Sequence, residues 1–85
     1  MTNKVIITSK NIGSQKTGNV MQWTVRAGRK IIGKVFEPCK VLGDKYIVNV
    51  PIAPGCCLQD TAETQFEAFI KLQILTDSKY DILGA

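Results

Sequence analysis

Residues 20–26 alternate apolar and polar without a break: Met21, Trp23 and Val25 point one way, Gln22, Thr24 and Arg26 the other. Successive side chains along a strand emerge on opposite faces, so this stretch reads as a half-buried strand. A chain containing it must lay a second layer over the tryptophan side and leave the arginine side to water. Residues 4–9 (Lys-Val-Ile-Ile-Thr-Ser) and 30–36 (Lys-Ile-Ile-Gly-Lys-Val-Phe) read as the flanking strands, with Ala27-Gly28-Arg29 turning the chain between the second and third. Residues 11–19 are polar and glycine-bearing, a loop expected to be mobile.

The register of the hairpin follows from face consistency. A three-residue loop sets Val25 against Ile31, Trp23 against Gly33 and Met21 against Val35, which keeps one face apolar. A two-residue loop would instead set Val25 against Lys30 and Met21 against Lys34. The first register also lets the Trp23 ring cover Gly33 and places Arg26 across from Lys30, a like-charge pair.

Pro38 interrupts the third strand, and Gly43-Asp44 suits a tight turn pairing Val41 with Tyr46 and Cys39 with Val48. Tyr46, Val48 and Val50 then join the apolar face, with Ile47 and Asn49 on the other. Residues 51–59 read as a crossover loop, and Asp60, with Glu63 three places later, as the start of a helix. Ala62, Phe66, Phe69, Ile70 and Ile74 form its apolar stripe, opposite Glu63, Thr64, Glu67 and Lys71, to about Thr76. A tail of Tyr80, Asp81, Ile82 and Leu83 is expected to add an edge strand. The expected fold, residues 1–85 as one domain, is α+β: an antiparallel sheet of about four strands, a β-meander, with one C-terminal helix packed on one face.

Chemistry is narrowed by what the chain lacks. It has no histidine, the commonest general base and the commonest metal ligand. Pairings of a serine or cysteine nucleophile with histidine are therefore closed. Asp60, Glu63, Glu67, Asp77 and Asp81 gather at helical spacing, as capping and a solvated helix face require. No cofactor, metal or catalytic set is implied, and the chain reads as a binding protein. Cys39 and the adjacent Cys56 and Cys57 read as small buried hydrophobes beside a turn, with a redox or soft-metal site at the adjacent pair as the competing reading. The apolar runs are too short to span a bilayer, and no signal-peptide core follows Met1, so a cytoplasmic protein is expected.

The net charge of +4 conceals an asymmetry. Residues 1–50 hold nine lysines and arginines against Glu37 and Asp44, a net +7, whereas residues 51–85 hold Lys71 and Lys79 against five acids, a net −3. Such a split points to one surface that faces a polyanion or an acidic partner. The face left uncovered by the helix is expected to carry Gln22, Thr24, Arg26, Lys30, Ile32, Lys34, Phe36, Ile47 and Asn49, with Arg29 at the hairpin tip and Lys40 nearby. Cations interleaved with apolar residues suit a docking surface. Arg26, Arg29, Lys30, Ile32, Lys34 and Phe36 are the candidate partner-binding residues.

The stretch from Trp23 through Arg26, Arg29, Lys30 and Lys34 to Phe36, followed by a helix opening Asp60-Thr-Ala-Glu, resembles the three-stranded-sheet-plus-helix DNA-binding domains of the AP2 and phage-integrase arm-binding type. That resemblance implies DNA contacts from Arg26, Lys30, Ile32 and Lys34. The compact design also looks like small phage-encoded inhibitors, including some anti-CRISPR proteins, that dock on a host protein or nucleoprotein complex and block it. Three functions are thus expected to compete. The first is docking on a host protein, the second DNA binding, and the third self-association as a homodimer through Ile32, Phe36 and Ile47. Membrane binding is not expected.

Overall fold

The computed structural model describes residues 5–16, 18–39, 43–76 and 82. Five strands precede one helix: β1 (Ile6–Asn11), β2 (Met21–Ala27), β3 (Lys30–Phe36), β4 (Tyr46–Ala53), β5 (Cys56–Ala62) and α1 (Gln65–Leu75). The strands lie in chain order in one sheet, every neighbouring pair antiparallel. This is the α+β sheet with a C-terminal helix that the sequence implies, with one strand more than expected.

The additional strand comes from residues 51–59, which are not a crossover loop. Ala53 pairs with Cys56 across Pro54 and Gly55, and the β4–β5 ladder runs on from Pro51 opposite Cys57 to Tyr46 opposite Ala62. Pro54 suits the first central position of a turn, and Gly55, at φ 79°, takes the left-handed conformation that a glycine adopts without strain. A register shift between Pro51 and Ala53 absorbs the mismatch between turn and strand twist. Pro51 is tolerated because β3 pairs with β4 only over residues 47–49, so no ladder bond to β3 is lost.

The β2–β3 hairpin also departs from the expected register. Its loop has two residues, Gly28 (φ 63°) and Arg29, and Ala27 pairs with Lys30 and Arg26 with Ile31. One residue further, the register shifts: Val25 pairs with Gly33, Thr24 with Lys34 and Trp23 with Val35. Ile32 is the extra residue of a β-bulge, so Ile32 and Gly33 both fall on the side of Val25. The expected pair of Arg26 with Lys30 does not form. Gly33 is covered by Leu72 of the helix rather than by Trp23. Trp23 lies against Tyr46, with ring centroids 6.4 Å apart, and edge-on to Phe69 at 6.2 Å.

The helix starts four residues later than expected. Asp60 and Ala62 belong to β5, and Thr64 caps the helix, its Oγ1 accepting from the Glu67 backbone N–H at 3.1 Å. The buried stripe is Ala68 and Leu72, flanked by half-buried Phe69 and Leu75. Phe66 and Ile74, expected in the core, are exposed. Ala68 explains the choice: a methyl group lets the helix axis approach the sheet more closely than a phenyl ring would. The helix rests on β3, β4 and β5. Its Lys71 Nζ donates to the Thr61 carbonyl and lies 3.6 Å from Asp60, which fastens it along the β5 margin. At its end, Thr76 Oγ1 donates to the Leu72 and Gln73 carbonyls.

One core unites Val5, Val25, Ile32, Val35, Val48, Val50, Ala62, Ala68, Leu72 and Ile82. Ile82 is buried there without strand structure; the rest of the expected edge strand, Tyr80, Asp81 and Leu83, lies outside the described residues, as do Lys40 and Val41. Cys39 pairs with Gly43, not Val48, and Val48 pairs with Val35. The side chain of Asn11 ties Gly13, Asn19 and Val20 together. Its Oδ1 accepts from the Gly13 and Val20 N–H groups, and its Nδ2 donates to Asn19.

A Cβ on Gly33 would overlap the Leu72 methyl and press on the Asn49 carbonyl. Gly33→Ala is expected to lower stability by about 1–3 kcal/mol. The urea midpoint should fall with an unchanged slope; an unmoved midpoint would mean that the helix does not seat on this glycine.

Candidate functional site

The strand registers place fifteen residues on the face away from the helix, in rows that run across the strands. The middle row is Thr8, Thr24, Lys34, Asn49 and Gln59, one residue from each strand. At about 4.8 Å between strands it spans about 19 Å. On one side lies the row Lys10, Gln22, Phe36, Ile47 and Thr61. On the other, Ile6, Arg26 and Ile31 continue β1 to β3, and Pro51 and Cys57 continue β4 and β5. Gln22 Nε2 donates to Thr24 Oγ1 at 3.2 Å, and Thr24, at the centre of the three-stranded part, is buried by its neighbours.

The candidate residues divide among different parts of the fold. Arg26, Lys34 and Phe36 stand on the open face. Arg26 is exposed, while Lys34 and Phe36 are half-buried, as befits a lysine whose stem lies along the sheet with its ammonium in water. Arg29 is exposed in the turn. Lys30, paired with Ala27, takes the helix-side parity at the hairpin end and is exposed there. Ile32 is 4% exposed and belongs to the core, which removes it from the open face and from the surface it was expected to build with Phe36 and Ile47. The bulge supplies Ile31 in its place. Ile6, 56% exposed, and Thr8 and Gln59 also belong to this face. The β-branched run of residues 4–9 contains the first two, whereas the prolines and glycine of residues 51–59, which read as a loop, hide Gln59.

The electrostatics of the two sides differ. None of the fifteen open-face strand residues is acidic. Four of the five carboxylates among the described residues, all but Asp44, are engaged elsewhere. Glu37 accepts from the Met21 N–H, Asp60 from the Thr61 N–H, Glu63 pairs with Lys45 at 3.1 Å, and Glu67 with Lys71 at 3.6 Å. All described salt bridges therefore use Lys45 and Lys71. Lys10, Arg26, Arg29, Lys30 and Lys34 form none among the described residues. The hydrogen bond and the charge of Glu63 hold the Lys45 ammonium above the ordinary lysine pKa. Any stability from this exposed pair is present below that ordinary value and is lost as pH rises through the raised one.

The cysteine reading needs correction as well. Cys56 and Cys57 are exposed, not buried. They are consecutive residues of a strand, so their thiols leave on opposite faces and cannot close on one ion. Among the described residues no group of three or more histidine, cysteine, aspartate or glutamate side chains is placed to hold a metal. No helix among them is long and apolar enough to cross a membrane.

Replacing both thiols, in Cys56→Ser/Cys57→Ser, is expected to change stability by no more than about 0.5 kcal/mol. Native mass spectrometry in zinc should show the same metal content for variant and parent. A stoichiometric zinc lost only in the variant would contradict the strand parity. Comparisons with protein-family models, curated proteins and solved structures returned no match to this chain.

Proposed function

We propose that this chain is a non-enzymatic docking protein, of the inhibitor or adaptor kind, that occupies an acidic surface of a protein target through its open sheet face. The observation that carries this reading is the composition of that face. Lys10, Arg26 and Lys34 stand among Ile31, Phe36 and Ile47 with no carboxylate between them. Cations steer the encounter with an acidic partner, and the apolar residues supply area to bury once it is seated. The central row of threonine, asparagine and glutamine adds hydrogen-bond donors and acceptors that accommodate a polypeptide surface.

DNA binding uses the same cations and is the second reading. The face favours a protein because Phe36 and Ile47 pair beside Lys34 and Ile31 lies across from Arg26, apolar area that a phosphate backbone would leave unused. Arg29 and Lys30 at the hairpin end extend the positive field for either target.

The test is affinity capture from the source cell with and without nuclease, for the parent chain and for Arg26→Glu/Lys34→Glu. The expected outcome is a discrete protein partner that survives nuclease and is lost on charge reversal. Both substituted side chains leave the core untouched, so the melting temperature should stay within a few degrees. Capture abolished by nuclease would assign the face to nucleic acid. A protein partner retained by the reversed variant would remove the face from function.

A further inference from the structure

Helix α1 is apolar on two sides. Ala68 and Leu72 are buried beneath it, while Phe66, Ile70 and Ile74 recur every four residues along its outer side. Phe66 is 69% exposed and Ile74 63%. At 100° per residue the line through Phe66, Ile70 and Ile74 lies about 180° from the line through Ala68 and Leu72. A helix covering one face of a sheet normally turns charged residues to water at that position. Here Phe66 and Ile74 are exposed and Ile70 between them is half-buried, and an apolar stripe at this position marks an interaction surface.

We infer that the stripe pairs with the same stripe of a second copy, the two helices antiparallel about a two-fold axis at Ile70. The argument for a second copy is that the surface complements itself. In that arrangement Ile70 meets its equivalent, and each Phe66, about 6 Å along the axis, lies over the other copy's Ile74. A large flat side chain thus faces a small branched one at both ends.

The charges match as well. Glu67 and Lys71 flank the stripe on the side toward β5, to which Lys71 is fastened through Asp60 and Thr61. A two-fold axis perpendicular to the helices brings this flank against its own copy. Glu67 lies about 4.5 Å before the axis and Lys71 about 1.5 Å beyond it, so each Lys71 falls within about 3 Å, along the axis, of the other copy's Glu67. The intrahelical pair of Glu67 with Lys71, 3.6 Å apart, becomes a cluster of four charges in which the two lysines meet at the axis and each lies between the glutamates of both copies. A parallel two-fold would carry this flank of the copy to the other side of the seam, out of reach of the first copy's Glu67 and Lys71.

An eleven-residue helix is about 16 Å long. Two such helices bury less than the roughly 1,200 Å² at the lower end of stable interfaces, so the dimer is weak and concentration-dependent. It uses the side of the molecule opposite the proposed docking face and stands or falls independently of it.

Sedimentation equilibrium of the full chain, from micromolar to millimolar concentration, tests the inference. The average mass is expected to climb from monomer toward dimer for the parent. Ile70→Glu should remain monomeric throughout, with circular dichroism showing that it is folded. Glu67→Lys should weaken association about tenfold, since it exchanges two attractions for two repulsions. A parent that stays monomeric at millimolar concentration overturns the inference, as does a dimer that survives Ile70→Glu. If Glu67→Lys associates as tightly as the parent, the antiparallel arrangement is wrong.

Discussion

The structure depends on one contact: Leu72 enters the sheet at Gly33, where the sheet has no side chain. The bulge at Ile32 makes this possible. By inserting one residue into β3 it turns Ile32 and Gly33 toward the helix in succession, a large side chain beside an empty position. Leu72 fills the empty position and Ile32 closes its side. The same insertion resets the parity of the hairpin end, so that Ile31 faces outward beside Arg26 and Lys30 falls on the helix side. The character of the open face therefore follows from how the opposite face is packed.

That linkage explains which parts of the fold were legible in the sequence. The alternation of residues 20–26 determines β2 and its faces, because a strand offers only two directions and the pattern never breaks. Lys34, Phe36, Ile47 and Asn49 were placed on the correct face by the same reasoning. The bulge was not legible. Keeping one face apolar by a longer loop and keeping it apolar by inserting a residue satisfy the same pattern, and only the close approach of Leu72 decides between them. Residues 51–59 misled for a different reason. Two prolines and a glycine read as loop, yet each sits where a hairpin tolerates it: Pro51 beyond the β3 ladder, Pro54 and Gly55 in the turn. In the helix, apolar residues occupy both sides, so periodicity alone did not identify the buried stripe. Thr64 and Glu67, three apart at the true start, carried the capping signal that Asp60 and Glu63 also imitated.

The charge asymmetry of the sequence becomes spatial by pairing rather than by separation alone. Lys45 and Lys71 engage Asp60, Glu63 and Glu67 around the helix and the β5 margin. This leaves the β1 to β3 part with cations that have no carboxylate partner among the described residues. The sheet tolerates them because they are spread over separate strands. Lys10 stands across from Gln22, Arg26 between Ile6 and Ile31, and Lys34 between Thr24 and Asn49. No two cations are direct cross-strand neighbours on the open face, so the positive field is assembled without the repulsion of adjacent like charges.

The helix thus separates two surfaces of opposite chemistry, a cationic mixed face beyond the sheet and an apolar stripe on its own outer side. The stripe costs stability to leave in water, and nothing in the packing requires it, because Ala68 and Leu72 already hold the helix down. Pairing through it would give four layers, sheet, helix, helix, sheet, with the two open faces directed away from one another. With the open faces on opposite sides, such a particle would bridge two copies of the proposed target rather than seat twice on one.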